Sequence, residues 1–336
     1  MIDLPWQAAL AGAVAFALTP AVRAYSMRAG LLDRPGPRRS HFGTVPRGGG
    51  PALLAALLAG SLWVPAWPIA AVAAGAVIIG LLGWREDHRP LAVRWRLLIQ
   101  LATGVGLAVW WGPIDSIQIG RHSIEAAWVW TPLAVIAVIW LINLFNFMDG
   151  SDGLATTQAV LSSAMFGISF SFLGEPDLAW LAWIVGGAAL GFLFWNWPRA
   201  SIFLGDSGSL LLGWCMAALA LGGATTGSVS VWLSSIILSP FVVDATATLA
   251  WRLMRGERWY TPHADHAYQR LIRAGWSHRR VLVGWILLNG LIVVPACILV
   301  LWMPNSGAGV AAVLGVVLTG VWALVQFVVT NEREAI

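Results

Sequence analysis

The sequence predicts an all-α polytopic membrane protein: one domain spanning residues 1–336, folded as a bundle of about 10–11 transmembrane helices with its polar loops on the cytoplasmic side. Three observations predict this. The chain is 58% hydrophobic and 11% charged, where a soluble domain carries about 25% charge. Its apolar residues gather in runs of roughly 17 to 22, the length that crosses a ~30 Å hydrocarbon core. The chain has no lysine, so all 20 basic residues are arginine. With the loop 26–49 in the cytoplasm and sides alternating from there, every arginine except Arg121 falls on the cytoplasmic side or at a cytoplasmic helix end. That is a strong positive-inside bias, and it sets the N-terminus outside and the C-terminus inside.

The expected spans follow in order. The first covers about 6–25, after MIDLPWQ. That start has no basic region and no obvious cleavage site, so a retained helix is expected and not a signal peptide. Spans at about 50–66 and 68–84 meet at PAWP, and one at about 96–112 precedes the outer loop GPIDSIQIGRHSIEAA. The alternating IQIG in that loop predicts a small hairpin. Further spans cover about 127–146, 155–173, 178–195, 208–224, 230–250, 281–303 and 308–329, eleven in all. The other outer connections, GEPDL, GGATTG and MPNSGAG, are short and bland. Cys215 and Cys297 lie inside apolar spans and read as packing residues.

The polar clusters all fall on the expected cytoplasmic side: Asp33 to Gly50, Glu86 to Arg96, Asn143 to Asp152, Asn196 to Ser209, and Asp244 with His263 to Arg280. Five loops converging on one face favour an enzyme. A transporter would carry its ionisable groups near the midplane, where Asp244 and Asn289 are the nearest candidates. The net charge of +4 comes from arginines spread over many loops. Anionic lipid headgroups and a phosphate-bearing substrate suit it better than nucleic acid.

Within NLFNFMDGSDGLA, Asn143, Asn146, Asp149 and Asp152 recur every three residues. On a helix each step drifts by about 60°. Gly150 and Gly153 end the helix near Asp149. Two acids at a helix C-terminus oppose its dipole and call for a cation, a metal or an arginine. In FLGDSGS the likeness to a serine-protease nucleophile motif is weak. Gly205 and Gly208 suit a close backbone approach to a ligand, and Asp206 offers an oxygen to a hard cation. Glu86 and Asp87 are adjacent acids, suited to hold one raised pKa and act as a general base. Arg38, Arg39, His41 and Arg47 lie among Gly and Pro in a loop suited to phosphates or lipid headgroups. His263 and His266, with Arg270 beyond, suit phosphate binding; a basic segment lying on the membrane is the other reading. His88, His122 and His278 receive no assignment.

Together these motifs resemble the polyprenyl-phosphate N-acetylhexosamine-1-phosphate transferases, over nearly the whole stretch from Asp33 to Arg280. The likeness is strongest at N-x-x-N-x-x-D-G-x-D-G-L, here Asn143 to Leu154, and at the segment with Asn196, Pro198, Phe203, Gly205, Asp206, Gly208 and Ser209. The first loop matches at Asp33, Pro35, Arg38, His41, Pro46 and Arg47, with Arg39 where lysine is common. The resemblance implies a bundle of ten or eleven helices, Mg²⁺ or Mn²⁺ as cofactor, and a UDP-N-acetylamino sugar and undecaprenyl phosphate as substrates. It implies a bacterial inner-membrane enzyme whose active site faces the cytoplasm, with homodimerisation left open. It further implies Asp206 and Asn146 at the metal, Asp149 and Asp152 in the catalytic site, and Asn143 and Asn196 at the nucleotide. Two departures stand out. Glu86-Asp87 replaces the usual Asp-Asp, leaving Asp87 as the expected base for the prenyl phosphate or its positioner, and the usual His-x-His reads His266-Ala267-Tyr268. The HAYQRL wording resembles the O-antigen-initiating branch more than the muramoyl-pentapeptide branch. A flippase and an inactive relative are the competing readings.

Overall fold

The computed structural model describes residues 5–34, 43–64, 66–257 and 263–334. Arg38, Arg39 and His41 lie outside the described residues. The chain is helical almost throughout. The helices are α1 (Trp6–Arg28), α2 (Gly50–Ser61), α3 (Ala66–His88), α4 (Val93–Trp111), α5 (Ala127–Phe147), α6 (Leu154–Leu173) and α7 (Pro176–Asn196). They continue with α8 (Gly205–Thr226), α9 (Val231–Met254), α10 (Ala267–Arg273), α11 (His278–Leu288), α12 (Val294–Trp302) and α13 (Gly307–Glu334). A π-helical turn, Asn289–Val293, joins α11 to α12.

Among the described residues, nine helices are long and apolar enough to cross a membrane. The eleven expected runs include two that fall outside that set. The helix in the second run, α2, is 12 residues long, about 18 Å of rise, and ends at Ser61 instead of running to 66. The helix in the fourth, α4, has 19 residues but opens with Arg94 and Arg96 and buries Gln100. The span expected at 281–303 is α11, the π turn and α12 in series.

One helix organises the rest. The most apolar stretch of α8 is 83% buried, and it packs against α3 and α5 with α2, α4, α6, α7 and α9 around it. Trp214 on α8 is fully buried and donates its indole N–H to the Val72 carbonyl of α3, at 3.0 Å. Large apolar side chains such as Trp302, Val316 and Phe327 are left exposed on α12 and α13, as a lipid-facing surface requires. Cys215 and Cys297 are buried and unpaired with each other, as packing residues should be.

Two small sheets sit at opposite ends of the bundle. The hairpin expected in the long outer loop is present as β3 (Ser116–Ile119) against β4 (His122–Glu125). At the other end, β1 (Leu32–Asp33) pairs antiparallel with β2 (Val45–Pro46), which brackets the arginine-rich loop.

Candidate active site

The site forms where α8 begins. Gly83 on α3 has its Cα hydrogens against the first turn of α8; a Cβ there would lie 2.4 Å from the Asp206 carbonyl oxygen. That close approach brings Asp87, one turn further along α3, onto the N-terminus of α8. Its Oδ1 accepts the Asp206 N–H and its Oδ2 the Ser207 N–H, both at 3.0 Å. These are N–H groups that a helix start leaves without intrahelical partners, and the carboxylate also meets the positive end of the helix dipole. Asp87 is 3% exposed. Gly205 adopts φ +66°, and a Cβ there would sit 2.6 Å from Asp87 Oδ1 and 2.7 Å from the Gly48 nitrogen. Its glycine serves this protein–protein approach.

The β2 end of the first loop is fastened to the same place. Phe203 N–H donates to the Pro46 carbonyl at 2.9 Å, and Gly49 N–H to the Phe203 carbonyl at 3.1 Å. Arg47 Nη2 donates to the Asp87 carbonyl at 3.2 Å, while its Nε is buried without a hydrogen-bond partner.

From the far side, Asn146 near the end of α5 donates its amide Nδ2 to Asp206 Oδ1 at 2.7 Å and to Ser209 Oγ at 3.0 Å. Asp206 thus stands between α3 and α5, and its charge reaches Glu86, Asp87 and Asp149. Burial raises the Asp149 carboxyl well above the ordinary carboxylate range, and the charges of Asp206, Asp87 and Asp152 add to the effect. Glu86 is 8% exposed, and its Oε1 is buried without a hydrogen-bond partner.

This donor set fits a hard divalent cation. It is all oxygen, its carboxylates repel one another, and one buried carboxylate oxygen is unsatisfied. Among the described residues no cluster of three His, Cys, Asp or Glu forms a ready-made cage. Mg²⁺ and Mn²⁺ accept such partial sites and complete their shells with water and substrate phosphate.

Asp152, three positions beyond Asp149, is held separately. Its Oδ2 accepts the Ala200 N–H at 3.1 Å. His278 Nδ1 lies 3.1 Å from the Asp152 N–H, 3.0 Å from Ser151 Oγ and 3.4 Å from Asp152 Oδ1. His278 carried no assignment from the sequence, and its place on one face with Leu282, Trp285 and Asn289 is the signal that marks it.

The structure places the remaining expected residues as follows. Asn143 turns away from Asp206, donating its amide to Gln100 Oε1 and to the Ile139 carbonyl, both at 2.7 Å. Asn196 is 2% exposed and holds the loop into α8: its Nδ2 donates to the Ile202 carbonyl at 3.0 Å, and its Oδ1 accepts the Thr156 hydroxyl at 2.8 Å. His266 caps α10, is 2% exposed and lies 3.6 Å from Asp244. Asp244 Oδ1 also accepts the Ala267 N–H at 2.9 Å. The His263 ring lies 5.0 Å from that of His266 between centres, tilted by 38°. Burial, with the charges of His266 and Arg252 behind it, lowers His263 to about 4. Arg270 lies 3.6 Å from Asp265, which also pairs with Arg252. Tyr268 links this group to the acidic loop by donating its hydroxyl to the Phe147 carbonyl at 3.1 Å. Burial, then Asp244 and Asp149, holds that phenol well above its usual range.

Comparison with known proteins points the same way. Residues 69–224 match the model of glycosyl transferase family 4. A phospho-N-acetylmuramoyl-pentapeptide-transferase of Synechococcus sp. (strain JA-3-3Ab) is 32% identical over 80% of this chain and 80% of its own length. A probable undecaprenyl-phosphate N-acetylglucosaminyl 1-phosphate transferase of Bacillus subtilis is 29% identical over 84% of this chain and 81% of its own. A decaprenyl-phosphate N-acetylglucosaminephosphotransferase of Mycobacterium tuberculosis is 28% identical over 94% and 87%.

Proposed function

Because the chain belongs to glycosyl transferase family 4, we propose that it moves N-acetylglucosamine 1-phosphate, or a related N-acetylamino sugar 1-phosphate, from its UDP-sugar to undecaprenyl phosphate. The products are UMP and undecaprenyl-pyrophosphate sugar, the first lipid-linked intermediate of O-antigen or another envelope polysaccharide. The chemistry takes place on the cytoplasmic face of a bacterial inner membrane, the side on which the arginine distribution puts the polar loops.

One observation carries the reading. Asp206 stands at the head of the buried helix α8, held by Asn146 at 2.7 Å and facing Glu86, Asp87 and Asp149. Such a cluster at the end of an apolar bundle is where a lipid phosphate and a water-soluble nucleotide can meet. Asp206 and Asn146 would hold Mg²⁺ or Mn²⁺, which supplies neutralisation of the diphosphate charge. Arg47 offers a second cation on the loop pinned to α8. Asp149 would take a proton from the lipid phosphate, and the burial and three neighbouring acids that raise its carboxyl strengthen its hold on one. An oxygen of that phosphate attacks the sugar-bearing phosphorus in line. The bond from that phosphorus to the bridging oxygen breaks, and UMP leaves.

UMP release tests the reading. Purified protein in detergent is given undecaprenyl phosphate, Mg²⁺ and a panel of UDP-N-acetylamino sugars that includes UDP-N-acetylmuramoyl-pentapeptide. Release that needs the lipid and the metal, and that Asp206→Asn abolishes, is expected. No release with any sugar, from protein shown to be folded, removes the proposal. Release with the muramoyl-pentapeptide nucleotide alone moves the chain to that branch.

A further inference from the structure

The face of α11 that meets α6 is a single stripe. His278, Leu282, Trp285 and Asn289 recur at steps of four, three and four, the spacing of one helix face. At its buried end, Gln158 of α6 accepts hydrogen bonds through Oε1 from Trp285 Nε1 at 2.7 Å and Asn289 Nδ2 at 3.2 Å. In the middle, Leu282 is fully buried, and a Cβ on Gly153 would lie 3.3 Å from its Cδ2. At the polar end stands His278, whose side chain is largely enclosed.

We infer that His278 is a positioning residue of the transferase site: its Nδ1 holds the main chain of Asp152, and through it the acidic loop from Asp149 to Gly153. This rests on the transferase reading above. The Asp152 main-chain nitrogen can only donate, so Nδ1 at 3.1 Å is the acceptor and the ring proton sits on Nε2. Asp152 is then fixed at two points, by its N–H on His278 and by its Oδ2 on the Ala200 N–H. Only Gly150 and Ser151 separate Asp152 from Asp149, so fixing one limits the reach of the other.

Three variants test this, because side-chain amides imitate the two ring nitrogens separately. An Asn oxygen falls where Nδ1 was; a Gln oxygen falls where Nε2 was. His278→Asn is expected to keep UMP release within about fivefold of wild type. His278→Gln and His278→Leu are expected to lower kcat by on the order of 10- to 100-fold. KM for the UDP-sugar is expected to hold within about twofold, at an unchanged melting temperature. Three variants all as active as wild type, or all equally impaired while still folded, overturn the inference. Should the Leu variant fail to fold, the Asn–Gln comparison decides alone. An inactive wild-type protein would instead count against the transferase reading.

Discussion

Replacing Asp87 with Asn separates two roles for that residue. As a general base, Asp87 would be lost to chemistry and the fold would be untouched. As the cap of α8, it carries two hydrogen bonds at 3.0 Å to the N–H groups of Asp206 and Ser207. In Asp87→Asn one oxygen becomes an NH₂ that meets a main-chain N–H donor to donor. One charge-assisted bond is lost, about 1.5–3 kcal/mol, along with the carboxylate's attraction to the helix start, about 0.3–2 kcal/mol. Together these amount to about 2–5 kcal/mol, a fall in melting temperature of about 3–7 °C for a chain of this length. Thermal unfolding in detergent, followed through the 22 tryptophans, measures it, with UMP release assayed on the same sample. A melting temperature within about 1 °C of wild type with activity gone would refute the capping argument and restore Asp87 as the base.

Gly205→Ala is expected to cost at least as much, since the new Cβ meets Asp87 Oδ1 and the Gly48 nitrogen within 2.7 Å at a φ of +66°. A variant that melts and turns over like wild type would show that this junction gives way easily. Asn146→Asp puts a carboxylate in place of the amide that donates to Asp206 at 2.7 Å. It is expected to melt below wild type in EDTA and to gain more from added Mg²⁺ than wild type does, and equal gains would count against a cation at Asp206. His263 is lowered from 6.5 to about 4, so the folded protein binds fewer protons there than the unfolded chain. Its contribution is present above pH 6.5 and is lost as pH falls toward 4. His263→Gln should flatten that limb of a stability–pH curve, and an unchanged limb would assign it to other groups.

Long apolar runs made most of the bundle legible, because length and hydropathy alone decide a span. Asn146, Asp149 and Asp206 were legible as a polar cluster out of place at a membrane edge. What the sequence hid is where close approach or side-chain direction decides. Gly83 looks like one of many glycines in an apolar helix, yet it sets how near α3 comes to Asp206. Asn143 and Asn146 share a motif, but the drift of a three-residue step turns Asn143 onto Gln100. Asp87 and Asn196 are polar residues among site motifs, yet their hydrogen bonds hold neighbouring protein groups, Asp87 on the backbone of α8 and Asn196 on the Ile202 carbonyl and the Thr156 hydroxyl. The π turn at Asn289–Val293 leaves the apolar run unbroken, so composition does not register it.

The position of α8 also bears on how the protein is made. Six of the helices around it, α2 to α7, precede it in the chain, and only α9 follows. Ribosomal synthesis therefore completes most of the walls before the helix they enclose has emerged. Asp87 and Asn146 have already been synthesised when Asp206 arrives at the leading end of α8. Asp206 is the last of these acids to be made, so a nascent chain ending before Gly205 carries Glu86, Asp87, Asp149 and Asp152 without the carboxylate whose charge acts on three of them.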